Sequence, residues 1–230
     1  MKGSARRAAF TVALIGPDGC GKTTIARELE GVLPMPIAYL YMGVSPESSN
    51  RVLPTTWLVR SLRKGTRDAA GRGPTGPRPQ PRGLLRRAAA ELRAVARLCN
   101  RLAEECYRQL LTWRFKRRGC VVIYDRHFYA DFFGVMRRGG ASWTVRLHLL
   151  FLEHLYPKPD LVLYLDAPPE LLFARKGEGT LESIAALRAD YQRLADVTPD
   201  FVTLDASAPL ELVVKQAAEE ITRFAQRRSS

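Results

Sequence analysis

Residues Gly16-Pro17-Asp18-Gly19-Cys20-Gly21-Lys22-Thr23 have the spacing G-x-x-x-x-G-K-T. Glycines in such a run permit a turn whose backbone N–H groups converge on an anion. A lysine and a hydroxyl directly behind that turn suit the outer phosphates of a nucleoside triphosphate and its divalent cation. The apolar stretch 10–15 precedes the run and a helical pattern over 24–33 follows it. A helix start there adds N–H donors and a positive dipole end. The spacing predicts Lys22 at the β- and γ-phosphates of ATP and Thr23 at Mg²⁺. Gly16, Asp18, Gly19, Cys20, Gly21 and Thr24 complete the predicted cofactor contacts, with Asp18 pinning the loop or reaching phosphate-bound groups through water. The bland alternative is a glycine turn that happens to precede a lysine, and the upstream strand argues against it.

A second constellation, Asp125-Arg126-His127, closes the apolar run 121–124. The rigid guanidinium fork of Arg126 suits a phosphate oxyanion. Asp125 suits Mg²⁺, water bound to it, or an acceptor oxygen. For a hydroxyl acceptor it is the leading general base, whereas a phosphorylated acceptor barely needs one. The competing reading makes Asp125 and Arg126 a structural ion pair. His127 is either a packing residue or a substrate contact. Asp166 ends the run 161–165 and has two readings of equal weight: support of a metal–water shell, or a cap for the helix behind Pro168-Pro169. Arg175, Lys176 and Glu178 follow by one helix length. In a short lid near 175–182 they would stabilise charge on transferring phosphates and exclude water. A solvated helix end is the alternative.

These residues need a scaffold. Apolar stretches at 10–15, 37–42, 121–124, 161–165 and 201–204 read as strands buried on both faces, as in a parallel sheet. Helical patterns at 24–33, 84–118, 170–176, 183–195 and 210–227 alternate with them. The prediction is one α/β domain over 1–230, a doubly wound parallel sheet with helices on both faces. Function then sits at the strand carboxyl ends, where both motifs and Asp166 fall. Within 84–118, Leu85, Ala88, Leu92, Val95, Cys99, Leu102, Cys106, Leu110 and Trp113 form an apolar stripe, with Arg93, Arg97, Arg101 and Arg108 mostly off it. A straight helix of that length would span roughly 50 Å, so a break is expected. Segment 65–83 is rich in Gly, Pro and Arg and reads as a flexible insertion.

The chain has 230 residues, 46% of them hydrophobic, and a formal net charge of +13 from 36 Lys+Arg against 23 Asp+Glu. No apolar run approaches the ~18 residues of a membrane span. A cleaved secretory leader would destroy the glycine loop, and the four cysteines show no metal-binding spacing, so a reduced, cytoplasmic setting is expected. The cations form diffuse blocks over 60–87 and 114–118 without interleaved aromatics. Arginine-rich surface is the simple reading; nucleic acid, a membrane surface or an anionic substrate are the competing partners.

The stretches Gly-Pro-Asp-Gly-Cys-Gly-Lys-Thr-Thr at 16–24, Val-Ile-Tyr-Asp-Arg-His at 122–127, Pro-Asp-Leu-Val-Leu-Tyr-Leu-Asp-Ala-Pro-Pro-Glu at 159–170 and Leu-Asp-Ala-Ser-Ala-Pro-Leu-Glu at 204–211 resemble the thymidylate kinase family of P-loop nucleoside and nucleotide kinases. The resemblance implies an ATP-dependent, Mg²⁺-assisted phosphotransferase. It implies Lys22 on donor phosphates, Thr23 on metal, Asp125 and Arg126 facing acceptor phosphate and metal, Arg175 with Lys176 in the lid, and Ala206 beside adenine. It also implies dimers through long helices. The chain departs from the family after its second strand, where Tyr41-Met42-Gly43-Val44-Ser45-Pro46-Glu47 replaces an Arg-Glu-Pro-Gly-like segment. Gly179-Thr180-Leu181-Glu182 replaces the late Asp-Arg pair of the lid, and Arg97 and Arg101 are the candidates for the arginine near the acceptor base. The donor half is kept better than the acceptor half. The resemblance makes a nucleoside monophosphate such as dTMP the first acceptor, and the acceptor-side departures make a nucleoside, sugar or other small metabolite the alternative. A nucleotide-dependent switch, a nucleic-acid-associated NTPase and a degenerate structural fold rank below both.

Overall fold

The computed structural model describes residues 9–42, 84–128, 130, 142–177 and 179–229. The 65–83 insertion, the 43–47 departure and Glu178 lie outside them. The elements are β1 (Thr11–Ile15), α1 (Lys22–Val32), β2 (Ile37–Tyr41), α2 (Leu84–Arg117), β3 (Val121–Asp125), α3 (Trp143–His154), β4 (Leu161–Asp166), α4 (Pro169–Lys176), α5 (Leu181–Leu194), β5 (Phe201–Asp205) and α6 (Leu210–Ser229). All five strands are parallel, in the order β2-β3-β1-β4-β5. This is the doubly wound P-loop kinase fold. The strand order reverses around β1, so the loop after β1 opens into the crevice beside β3 and β4.

Alternation along β1 divides the core. Phe10, Val12 and Leu14 face a cluster with Ile25 and Leu29 of α1 and Ala217, Ile221 and Phe224 of α6. Ala13 and Ile15 face Leu111 of α2, Leu152 of α3, and Tyr191 and Leu194 of α5. Each fully buried aliphatic or aromatic side chain contributes about 1.5–3 kcal/mol, and both faces of β1 are sealed this way.

One expectation needs correction, and two features were not anticipated. The long helix has no break: α2 runs unbroken for 34 residues. Its apolar stripe does not face the sheet. Leu92, Leu110 and Trp113 are 71%, 53% and 54% exposed, and Cys99 and Cys106 are exposed. The face turned inward carries Leu98, Glu105, Arg108, Leu111 and Thr112. Periodicity marks an apolar face but not what covers it, and here the sheet-facing side holds polar residues because it borders the site. Finally, α3 had no counterpart in the sequence pattern. Its run Leu147-His148-Leu149-Leu150-Phe151-Leu152 lacks a clean polar face, and Ser142 at its start makes no side-chain cap.

Candidate functional site

The glycine loop is shaped by close approach. Gly16 has φ +147°, and a Cβ there would lie 2.5 Å from the Leu165 carbonyl oxygen of β4. Gly21 (φ +89°) caps α1 in the left-handed region. The Lys22 side chain is buried, and its ammonium donates to the Gly16 and Pro17 carbonyls at 2.8 Å each. An incoming phosphate would compete with those two carbonyls for the same charge. Cys20 is packed beneath the loop, where burial pushes its thiol pKa up, so it remains a thiol. Thr23 and Thr24 stand exposed on the first turn of α1.

Asp125 is fully buried at the end of β3. Its Oδ2 accepts the Thr23 hydroxyl at 2.5 Å and the Tyr39 hydroxyl at 2.9 Å. Its Oδ1 is buried without a hydrogen-bond partner among the described residues. Thr23 and Asp125 thus meet across 102 positions of sequence. Among the described residues no group of three or more His, Cys, Asp or Glu side chains could hold a metal. A hydroxyl beside a carboxylate with a free oxygen fits Mg²⁺ of the kind that keeps its waters and takes further oxygens from phosphates.

Arg126 adopts φ +73°, an uncommon region for a side-chain-bearing residue. Its backbone N–H donates to the Leu14 carbonyl at 3.1 Å, and its guanidinium reaches the Asp18 carboxylate in the glycine loop. Asp18 also lies 3.4 Å from the Lys176 ammonium and 3.7 Å from that of Lys22. Burial raises the Asp18 pKa, but Arg126, Lys22 and Lys176 outweigh it and hold the carboxyl below its ordinary range. Three cations therefore converge on one side of the loop around a single carboxylate. Arg126 is matched to Asp18, and Asp125 to Thr23 and Tyr39.

Arg175 and Lys176, expected in a lid, both have partners in the structure. Arg175, in the last turn of α4, donates to the Ala206 carbonyl at 3.0 Å, and the Ala206 N–H donates to the Asp166 carbonyl at 2.7 Å. The Asp166 side chain caps no helix, because Pro168 occupies the cap of α4 and no side chain bonds there. Instead both Asp166 oxygens accept from Arg188 of α5 at 2.7 Å, and Tyr164 donates at 2.7 Å. These hydrogen bonds, Arg188 foremost, lower the Asp166 pKa.

On the other side of the crevice, Arg97 is exposed and Arg101 half-buried. Among the described side chains of α2 the buried arginine is Arg108, whose guanidinium lies 5.1 Å from the Phe128 ring centre and 4.0 Å from Glu104. Burial lowers its pKa, against the pull of Glu104, Tyr156, Glu105 and of Tyr41 at the end of β2. Sequence reasoning placed Arg108 off the apolar stripe together with Arg97 and Arg101 and did not single it out, although the side off the stripe is the one turned toward the sheet. His127 packs between Tyr124 and Tyr156, and burial pushes its pKa down to about 3, so it is neutral at physiological pH. Beneath Arg108, the Glu105 carboxylate and His148 of α3 meet at 2.6 Å.

No protein-family model matches the chain. The chain is 28% identical over 214 residues to a thymidylate kinase of Xanthomonas campestris pv. campestris, covering 90% of this chain and 80% of that one. It is 27% identical with the same coverage to a thymidylate kinase of Xanthomonas oryzae pv. oryzae. A probable thymidylate kinase of Archaeoglobus fulgidus is 32% identical over 113 residues, 46% of this chain and 55% of that protein. Together with the fold, these similarities link the chain to thymidylate-kinase-like P-loop kinases. Among the described residues no helix is long and apolar enough to cross a membrane.

Proposed function

We propose that the protein is an ATP-dependent phosphotransferase that moves the γ-phosphoryl of ATP to a small acceptor, with a nucleoside monophosphate such as dTMP as the first candidate. The observation that carries this is the meeting of Thr23 and Asp125 behind the glycine loop, with Arg126 and Lys176 drawn to the same loop through Asp18. The names of the similar proteins support the choice of dTMP.

The roles follow from placement. The loop N–H groups from Gly16 to Thr24 hold donor phosphates, and Lys22 exchanges its two carbonyl partners for phosphate oxygens. Thr23 and Asp125 hold Mg²⁺. When bound, the ion neutralises phosphate charge and orients the phosphoryl group. Arg126 takes the acceptor-side oxyanion and Arg175 and Lys176 the donor side, each stabilising charge that spreads over the transferring group. The Ala206 turn, braced by Arg175, flanks the nucleotide base. Arg108 replaces Arg97 and Arg101 as the acceptor-side arginine. A neutral-alcohol acceptor is the second reading, favoured by Asp125 Oδ1, which has no partner among the described residues and would take the hydroxyl proton as the oxygen attacks phosphorus.

We also propose that two copies associate through α2. Ala88, Leu92, Val95, Cys99, Leu102 and Cys106 recur at alternating spacings of four and three, the seam of a helix pair, and this seam is not covered within the chain at Leu92, Cys99 or Cys106.

Lys22→Ala tests the donor site. It should lower phosphoryl transfer by about 10²–10³-fold while cooperative unfolding persists. Normal turnover in that variant would contradict the assignment.

A further inference from the structure

We infer that Tyr39 is a positioning residue for the metal site, holding the Asp125 carboxylate so that its free oxygen stays turned toward the bound cation. The inference rests on the phosphotransferase function proposed above. Tyr39 lies on β2 opposite Ile123 of β3, and its hydroxyl reaches Asp125 Oδ2 at 2.9 Å. The same oxygen accepts the Thr23 hydroxyl at 2.5 Å, and Oδ1 has no hydrogen-bond partner among the described residues. A hydroxyl that coordinates a cation through a lone pair keeps its hydrogen, but turning toward the cation changes where that hydrogen points. If Thr23 turns toward the metal, Tyr39 is the described donor that remains on Asp125. A carboxylate gripped at one oxygen by a rigid, strand-borne phenol has one free rotamer fewer to lose when a cation binds. Nothing in the G-x-x-x-x-G-K-T spacing or the Asp-Arg pair announces this tyrosine, because strand pairing alone brings β2 to Asp125.

Tyr39→Phe keeps the ring, which packs against the α1–α6 side of the core, and deletes only the donor. The test is calorimetric titration of the full chain with a non-hydrolysable ATP analogue, with and without Mg²⁺. Bound Mn²⁺ is followed in parallel by electron paramagnetic resonance. In the wild type Mg²⁺ should tighten binding of the analogue. Tyr39→Phe should lose about tenfold of that metal-dependent gain, as for a hydrogen bond to a charged group, with metal-free binding and the unfolding midpoint little changed. In an Asp125→Asn background the same substitution should add nothing. A full metal-dependent gain in Tyr39→Phe, or an equal loss in the Asp125→Asn background, overturns the role of Tyr39. Collapse of cooperative unfolding makes it a packing residue and overturns it too. Absence of any metal-dependent gain in the wild type overturns the phosphotransferase proposal itself, and the inference with it.

Discussion

Arg126 holds a backbone conformation that costs a side-chain-bearing residue about 1–2 kcal/mol, and what it gains is direction: its guanidinium is turned off the end of β3 onto the glycine loop. Asp18 is its resting partner. A phosphate group arriving at the crevice offers a bidentate partner with more charge. Arg126→Ala should therefore raise KM for a phosphorylated acceptor by about 10–100-fold and affect a neutral acceptor far less. Steady-state kinetics with both acceptor types decide it, and equal losses would contradict the role. At this scale the sequence was most readable where chemistry depends on short, fixed spacing. Lys22, Thr23, Asp125 and Arg126 announce themselves within two motifs. Tyr39 and Arg108 do not, since each reaches the site across the sheet or from a helix face whose orientation no local pattern records. Of the two readings open for Asp166, the cap is not the one the structure shows, and its partner Arg188 lies 22 positions onward, beyond any local pattern.

The elements around the crevice are tied together by that same pair. Arg188 fastens α5 to the end of β4, and Arg175 fastens α4 to the turn after β5, so the chain between the two helices is anchored at both ends. The Asp166 carboxyl titrates below the ordinary aspartate value of 3.8, chiefly through its bonds from Arg188. A depressed pKa in the folded state gives stability that is present above 3.8 and lost as pH falls through the lower folded value. A double-mutant cycle on Asp166→Asn and Arg188→Ala should show coupling of about 1 kcal/mol at pH 7, reduced from the value for a buried charged bond because the pair is partly exposed. The coupling should vanish in strong acid; a pH-independent coupling would contradict an ionic origin. Strand positions and most helix positions were legible, because continuous apolar runs and the stops at Pro34 and Pro36 are local signals. The continuity of α2 was not. It is fixed by packing on β2, β3 and α3, including the Glu91 carboxylate that accepts the Trp143 indole N–H at 2.9 Å.

At the scale of the whole molecule, the doubly wound order and the reversal around β1 were implicit in the alternation of strands and helices, since a parallel sheet of this kind has few ways to connect. The direction of α2 toward or away from solvent could not follow from one chain if a second copy covers the apolar face. Replacing Leu92 and Leu110 together by lysine should convert a dimer to a monomer in sedimentation velocity, with the fold intact; a wild-type chain that sediments as a monomer at every concentration would remove the proposed contact. Of the cations behind the net charge of +13, Arg51, Arg60, Arg63, Lys64, Arg67, Arg72, Arg78 and Arg82 lie outside the described residues. The central claim is that the crevice transfers phosphate rather than merely binding or hydrolysing nucleotide. Its most direct test is mass spectrometry of products after incubation with Mg²⁺, ATP and a panel of nucleoside monophosphates, nucleosides and free sugars. One acceptor should gain a phosphoryl group for each ADP formed. ATP consumed with only inorganic phosphate released, whatever acceptor is offered, would contradict it.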